Sequence, residues 1–115
     1  MQFKLDELVN LTIKYSNGYE DFPFNGGKSH EKIIWHIIRH PKNKKIIAMI
    51  FIKDTTLWLN LKLTAEHVSQ MVHISGIEPG YHMNKKYWIS ININNTEILE
   101  EELINMIKES AQLTE

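Results

Sequence analysis

Hydrophobic and polar positions alternate most regularly in two places along the chain. Between Thr56 and Leu63, Leu57, Leu59, Leu61 and Leu63 point one way, and Thr56, Trp58, Asn60 and Lys62 the other. Between Lys86 and Asn94, Tyr87, Ile89, Ile91 and Ile93 alternate with Trp88, Ser90, Asn92 and Asn94. A period of two is that of a strand with one buried and one wet face, the habit of antiparallel sheets. Two more strands are expected at 32–40 and 45–53, apolar on both faces and therefore not oriented by periodicity. Turns at Pro41-Lys42-Asn43-Lys44 and Lys53-Asp54-Thr55 join these first three strands.

Helical spacing appears in three other segments. Residues 3–17 repeat apolar positions at Leu5, Leu8, Val9, Thr12 and Tyr15 or Ile13, and Asn17-Gly18 stops them. Thr64 is placed to cap a short helix, "AEHVSQMVH". Residues 97–112 carry a stripe of Leu99, Leu103, Met106 and Ile107, with Glu100 to Glu102 at the end where the helix dipole favours negative charge. "YEDFPFNGGKSH" and "ISGIEPG" read as loops, and 81–84 as a possible extra short strand. The order is α-β-β-β-α-(β)-β-α. This predicts an α+β two-layer sandwich: an antiparallel sheet of about five strands with helices on one face. The uncovered face would then carry Trp58, Asn60, Lys62, Trp88, Ser90, Asn92 and Asn94.

Composition adds limits to this picture. The 115 residues make one domain, long enough to fold without metal or disulfide. Cysteine is absent, which excludes a disulfide scaffold, a thiolate metal site and a cysteine nucleophile. The charged N-terminal segment does not read as a signal peptide, and no apolar run approaches membrane-spanning length. The expected location is the cytoplasm, with no membrane partner.

Net charge is −1, yet it is unevenly spread. Residues 28–62 hold eight Lys/Arg against Glu31 and Asp54, a balance of +6. Residues 96–115 hold six Glu against Lys108, a balance of −5. The segment "RHPKNKK" would place Arg39, His40, Lys42, Lys44 and Lys45 at a hairpin tip, either for solubility and edge protection or as a wing against phosphates. His82, Lys85 and Lys86 would extend that patch if the last strand lies nearby. Trp58 and Trp88, on a polar strand face, either brace the sheet as cross-strand partners or offer stacking platforms for bases.

The remaining chemistry is sparse. His36 and His40, four apart on a strand, would be about 13 Å apart, too far to share an ion. His67 and His73 point in different directions from their helix. Gly26-Gly27-Lys28 lacks the frame of a P-loop, and neither G-x-S-x-G nor H-E-x-x-H occurs. No enzyme, metal or cofactor is expected.

The stretch "WHIIRHPKNKKIIAMIF", followed by "GYHMNKKYWISI", resembles the MmcQ/YjbR family of small bacterial proteins. Gly80, Tyr81, His82, Asn84, Lys85 and Trp88 match that family's G-Y-H-x-N-K-x-x-W arrangement. The resemblance implies an antiparallel sheet with helices on one side, related to type III secretion chaperones. It also implies a DNA-binding role with a "double wing" arrangement, without catalytic residues. The expectation is a non-catalytic nucleic-acid-binding domain, monomeric or homodimeric. Arg39, His40, Lys42, Lys44, Lys45, His82, Lys85 and Lys86 would lie at the phosphates, and Trp58 and Trp88 would stack. The alternative is a chaperone-like module that takes a protein or peptide on the open sheet face.

Overall fold

A computed structural model describes residues 1–26 and 32–115. Lys28, Gly27 and the end of the aromatic-proline loop fall outside the described residues. Helix α1 (Leu5–Ser16) begins where the Glu7 carboxylate accepts the Lys4 N–H at 2.8 Å, and it ends at Asn17 in the left-handed region. Strand β1 (Tyr19–Asp21) follows, then β2 (His36–Arg39), β3 (Ile46–Lys53) and β4 (Thr56–Lys62). The β3–β4 connection puts Asp54 and Thr55 at φ 51° and 65°, the two-residue turn that matches strand twist. Helix α2 (Ala65–Met71) is capped by the Thr64 hydroxyl, which accepts the His67 N–H at 3.2 Å. Strands β5 (Ile77–Pro79) and β6 (Trp88–Asn92) and helix α3 (Glu100–Leu113) complete the chain.

The sheet is antiparallel throughout, in the order β1-β2-β3-β4-β6-β5. The α+β architecture holds, with six strands in place of about five. Two of the six read as loop in the sequence because each is three residues long. β1 is Tyr-Glu-Asp, and β5 ends in a proline that only an edge strand tolerates. Residues 81–84 are a turn, not a strand; β5 takes the place beside β6. The first long strand begins at His36, four residues later than periodicity placed it.

Residues directly opposite in the register share a face. Ile38, Ala48, Ile50, Leu57, Leu59, Leu61, Ile77, Ile89 and Ile91 face the helices and form the main core with Leu8, Leu103, Met106 and Ile107. The other face was expected to be wet, and here the structure corrects the sequence reading. Trp35, Ile37, Met49 and Phe51 form a second buried cluster there, with Tyr81 and Met83 packed onto it. Asn60, Ser90 and Trp88 on the same face are also buried. A loop from the β5 edge folds back over part of this face.

Candidate nucleic-acid interface

The β2–β3 hairpin tip divides into residues used by the fold and residues left in solvent. Arg39 reaches back along the edge: its Nε donates to Asp21 Oδ2 at 2.9 Å and a guanidinium N–H to Lys44 O at 2.8 Å. His40 Nε2 donates to Ala111 O at 2.8 Å and lies 2.9 Å from the Thr114 hydroxyl, so its ring satisfies the open carbonyl end of α3. The Asn43 side chain donates to Thr114 O and accepts the Lys45 N–H. Lys44 sits at φ 61°. Lys42, Lys44 and Lys45 are exposed. The tip is anchored by Arg39, His40 and Asn43, and its lysines face water.

The segment from Gly80 to Trp88 is a compact turn over the second face. Gly80 N–H donates to Trp88 O at 2.8 Å. A Cβ on Gly80 would lie 2.6 Å from Trp88 Cβ and 3.0 Å from Trp88 O, so only glycine allows this approach. Tyr81 is fixed through its backbone: its N–H donates to Ser90 Oγ at 2.8 Å, and its carbonyl accepts from Asn60 Nδ2 at 2.8 Å. Ser90 Oγ in turn donates to Asn60 Oδ1 at 2.5 Å. Two side chains that alternation placed in water, Asn60 and Ser90, thus satisfy each other and the Tyr81 backbone in the interior. The Tyr81 ring packs near Trp35 and Phe51, with Lys53 Nζ 4.5 Å from its centroid. Asn84 turns the chain by accepting the Lys86 N–H, while Lys85 Nζ donates to Gly80 O at 2.9 Å.

Strand register brings the two basic segments to one end of the sheet. Ala48 pairs with Leu61, and Lys62 pairs with Trp88. The start of β3, the end of β4 and the start of β6 therefore lie side by side, with the hairpin tip and the 85–87 turn beyond them. Tyr87, 37% exposed, stands between two cations: Lys62 Nζ is 5.9 Å and Lys86 Nζ 5.5 Å from its ring centroid. Helix α3 reaches this end with its C-terminus. Its acidic first turn, Glu100 to Glu102, lies about 15 Å away along the helix from Ser110, which binds Ile47 O and Lys62 N. Glu109 stays nearer the basic end but is engaged by His67 and the Thr64 N–H. The charge asymmetry of the sequence is only partly separated in space, since exposed Glu115 follows Thr114 beside the hairpin tip and Lys53 ends β3 at the far end.

The expected site residues separate accordingly. Lys42, Lys44, Lys45, Lys85 and Lys86 share one end, and Lys62 and Tyr87 join them. Arg39 and His40 are committed to structure, half-buried against β1 and α3. Trp88 is corrected: at 7% exposure it is packed under Gly80 and offers no stacking surface. Trp58 lies four residues from Lys62, about 13 Å along β4, half-buried against the second cluster. It does not join the lysines. His82 is exposed on the turn at φ 60°, its ring 4.2 Å from that of Tyr81. Sequence reading placed Tyr87 inward because it started the strand two residues early; the strand begins at Trp88.

Two further histidines face carboxylates. His36 Nδ1 lies 2.7 Å from Glu20 and His67 Nδ1 2.8 Å from Glu109. Among the described residues no three His, Asp or Glu side chains converge as metal ligands would. A separate cleft of about 560 Å³ opens between α1 and the β1–β2 edge, lined by Leu5, Val9, Phe22 and the His36–Glu20 pair.

Comparison with known proteins agrees with this architecture. The YjbR family model matches residues 15–113. YyaQ of Bacillus subtilis (strain 168), an uncharacterised protein, is 36% identical over 87 residues, which span 67% of this chain and 73% of YyaQ. A crystal structure of a Pseudomonas syringae protein superposes with a TM-score of 0.80 at 24% identity, covering 98% of this chain and all of that one. A Deinococcus radiodurans protein gives 0.73 at 23% identity, over 96% of this chain and 77% of its own. Those two likenesses establish the fold. With the family model spanning both basic segments and the turn from Gly80 to Trp88, the chain belongs to the YjbR family.

Proposed function

We propose that this domain binds nucleic acid, without catalysis, through the basic end of its sheet. The observation that carries the reading is the strand register. Lys42, Lys44 and Lys45 on the hairpin, Lys62 at the end of β4, and Lys85 and Lys86 on the turn all lie toward the end of the sheet where β3 starts and β4 finishes. A row of amines on rigid elements contacts phosphates as point charges, and the exposed Tyr87 ring between two of them adds a surface for a sugar or base. The hairpin lysines are left exposed because His40 and Asn43 do the anchoring there, while Lys85 also holds Gly80 O.

Binding of this kind displaces counterions. If about four lysines meet phosphates, the logarithm of the association constant falls with the logarithm of salt concentration at a slope near −3.6. Fluorescence anisotropy with a labelled 20-base-pair duplex should show affinity falling roughly 150-fold between 50 and 200 mM salt. A complex insensitive to salt contradicts the reading.

A second reading, a peptide- or protein-binding module, is favoured by the cleft beside α1. Phe22, Ile34 and Ile52, all exposed, lie around it and an adjoining groove that shares Leu5 and His36. Apolar side chains grouped in this way suit a protein partner. This reading expects binding that survives high salt and is lost on Phe22→Ala with the lysines intact.

A further inference from the structure

A third cavity lies on the second face of the sheet, between the two basic segments. It measures about 280 Å³ and is lined by Phe24, Trp35, Ile46, Met49, His82 and Met83. Trp35 and Met49 are buried and form its floor, while Phe24, 44% exposed, stands at its rim. On one side Ile46 follows directly on Lys44 and Lys45; on the other, His82 and Met83 are followed, after Asn84, by Lys85 and Lys86. The His82 ring meets Trp35 edge-on at 5.6 Å. Its backbone is left-handed where the chain turns back toward Lys85.

We propose that this cavity is a base slot. It takes one unpaired nucleobase of a single-stranded nucleic acid whose phosphates run across the lysines on either side. The inference rests on the nucleic-acid reading and adds the kind of strand recognised. Cationic edges beside an aromatic-lined recess are the recurrent means of holding single strands, because every base has a face to stack. Two thioethers in the walls adapt their shape, so the slot accepts any base and reads little sequence. A duplex keeps its bases paired and does not fill the slot without paying for unstacking.

The test compares an eight-nucleotide oligo(dT) with an abasic strand of the same length, which carries the same phosphates, and with an eight-base-pair duplex. Anisotropy at 50 mM salt is the readout, for the wild-type protein and for Phe24→Ala/Met83→Ala. Neither substituted residue is fully buried, and a thermal melt checks that the double variant is folded. The expected result is oligo(dT) bound about tenfold more tightly than the abasic strand, a margin the double variant loses while its salt slope is unchanged. Equal affinity for oligo(dT) and the abasic strand, with steep salt dependence retained, overturns the slot and leaves the basic surface standing. No binding to any of the three overturns both.

Discussion

The hairpin tip and the 80–88 turn look alike in sequence: each sets a histidine and a lysine pair ahead of a strand. Their structures divide the labour differently. At the tip, the histidine is the anchor, donating into the C-terminal carbonyls of α3, and all three lysines are left outside. In the turn, the histidine is exposed and the anchors are backbone groups of Tyr81, held by Asn60 and Ser90. One lysine, Lys85, is also drawn into the turn through Gly80 O. A residue's type therefore did not decide its role. What decided it was which unsatisfied backbone groups lay within reach: open helix carbonyls in one place, a loop crossing a sheet in the other.

If this division is right, substitutions in the two regions should rank in a fixed order. Asn60→Ala should be the most damaging, since it strips partners from Ser90 Oγ and Tyr81 O inside the protein; urea unfolding should show a loss of about 3 kcal/mol. Gly80→Ala should follow at about 2 kcal/mol, because the added methyl meets backbone of Trp88 that has no room to move. His40→Ala should cost about 1 kcal/mol, leaving the end of α3 uncapped on one side but partly open to water. Lys44→Ala should change stability by less than about 0.5 kcal/mol while weakening nucleic-acid binding. An inverted order, with Lys44→Ala unfolding the protein or Asn60→Ala silent, would break the comparison.

Much of the fold was legible because its central strands follow a strict period. Leu57, Leu59, Leu61, Leu63, Ile89, Ile91 and Ile93 are all buried, as alternation required. The edge strands were not legible, since three residues give no period to read. The second face was misread for a physical reason. Asn60 and Ser90 look like solvent-facing residues, but their polarity serves Tyr81, 21 residues from Asn60 and 9 from Ser90, and no local pattern signals that. The candidate surface was legible in part: the sequence offered the lysines of both segments, while Tyr87 and Lys62 come beside them only through the register. Trp88 was lost for the same reason that Asn60 was, burial under the returning turn.

The central claim is that the two basic segments form one surface. The most direct test is the salt slope of nucleic-acid affinity for the wild type, Lys44→Ala, Lys86→Ala and the double variant. A shared surface predicts a slope near −3.6 for the wild type, flattened by about 0.9 in each single variant and about 1.8 in the double. A slope that one of the two substitutions leaves untouched would contradict it, and place the nucleic acid on one segment alone.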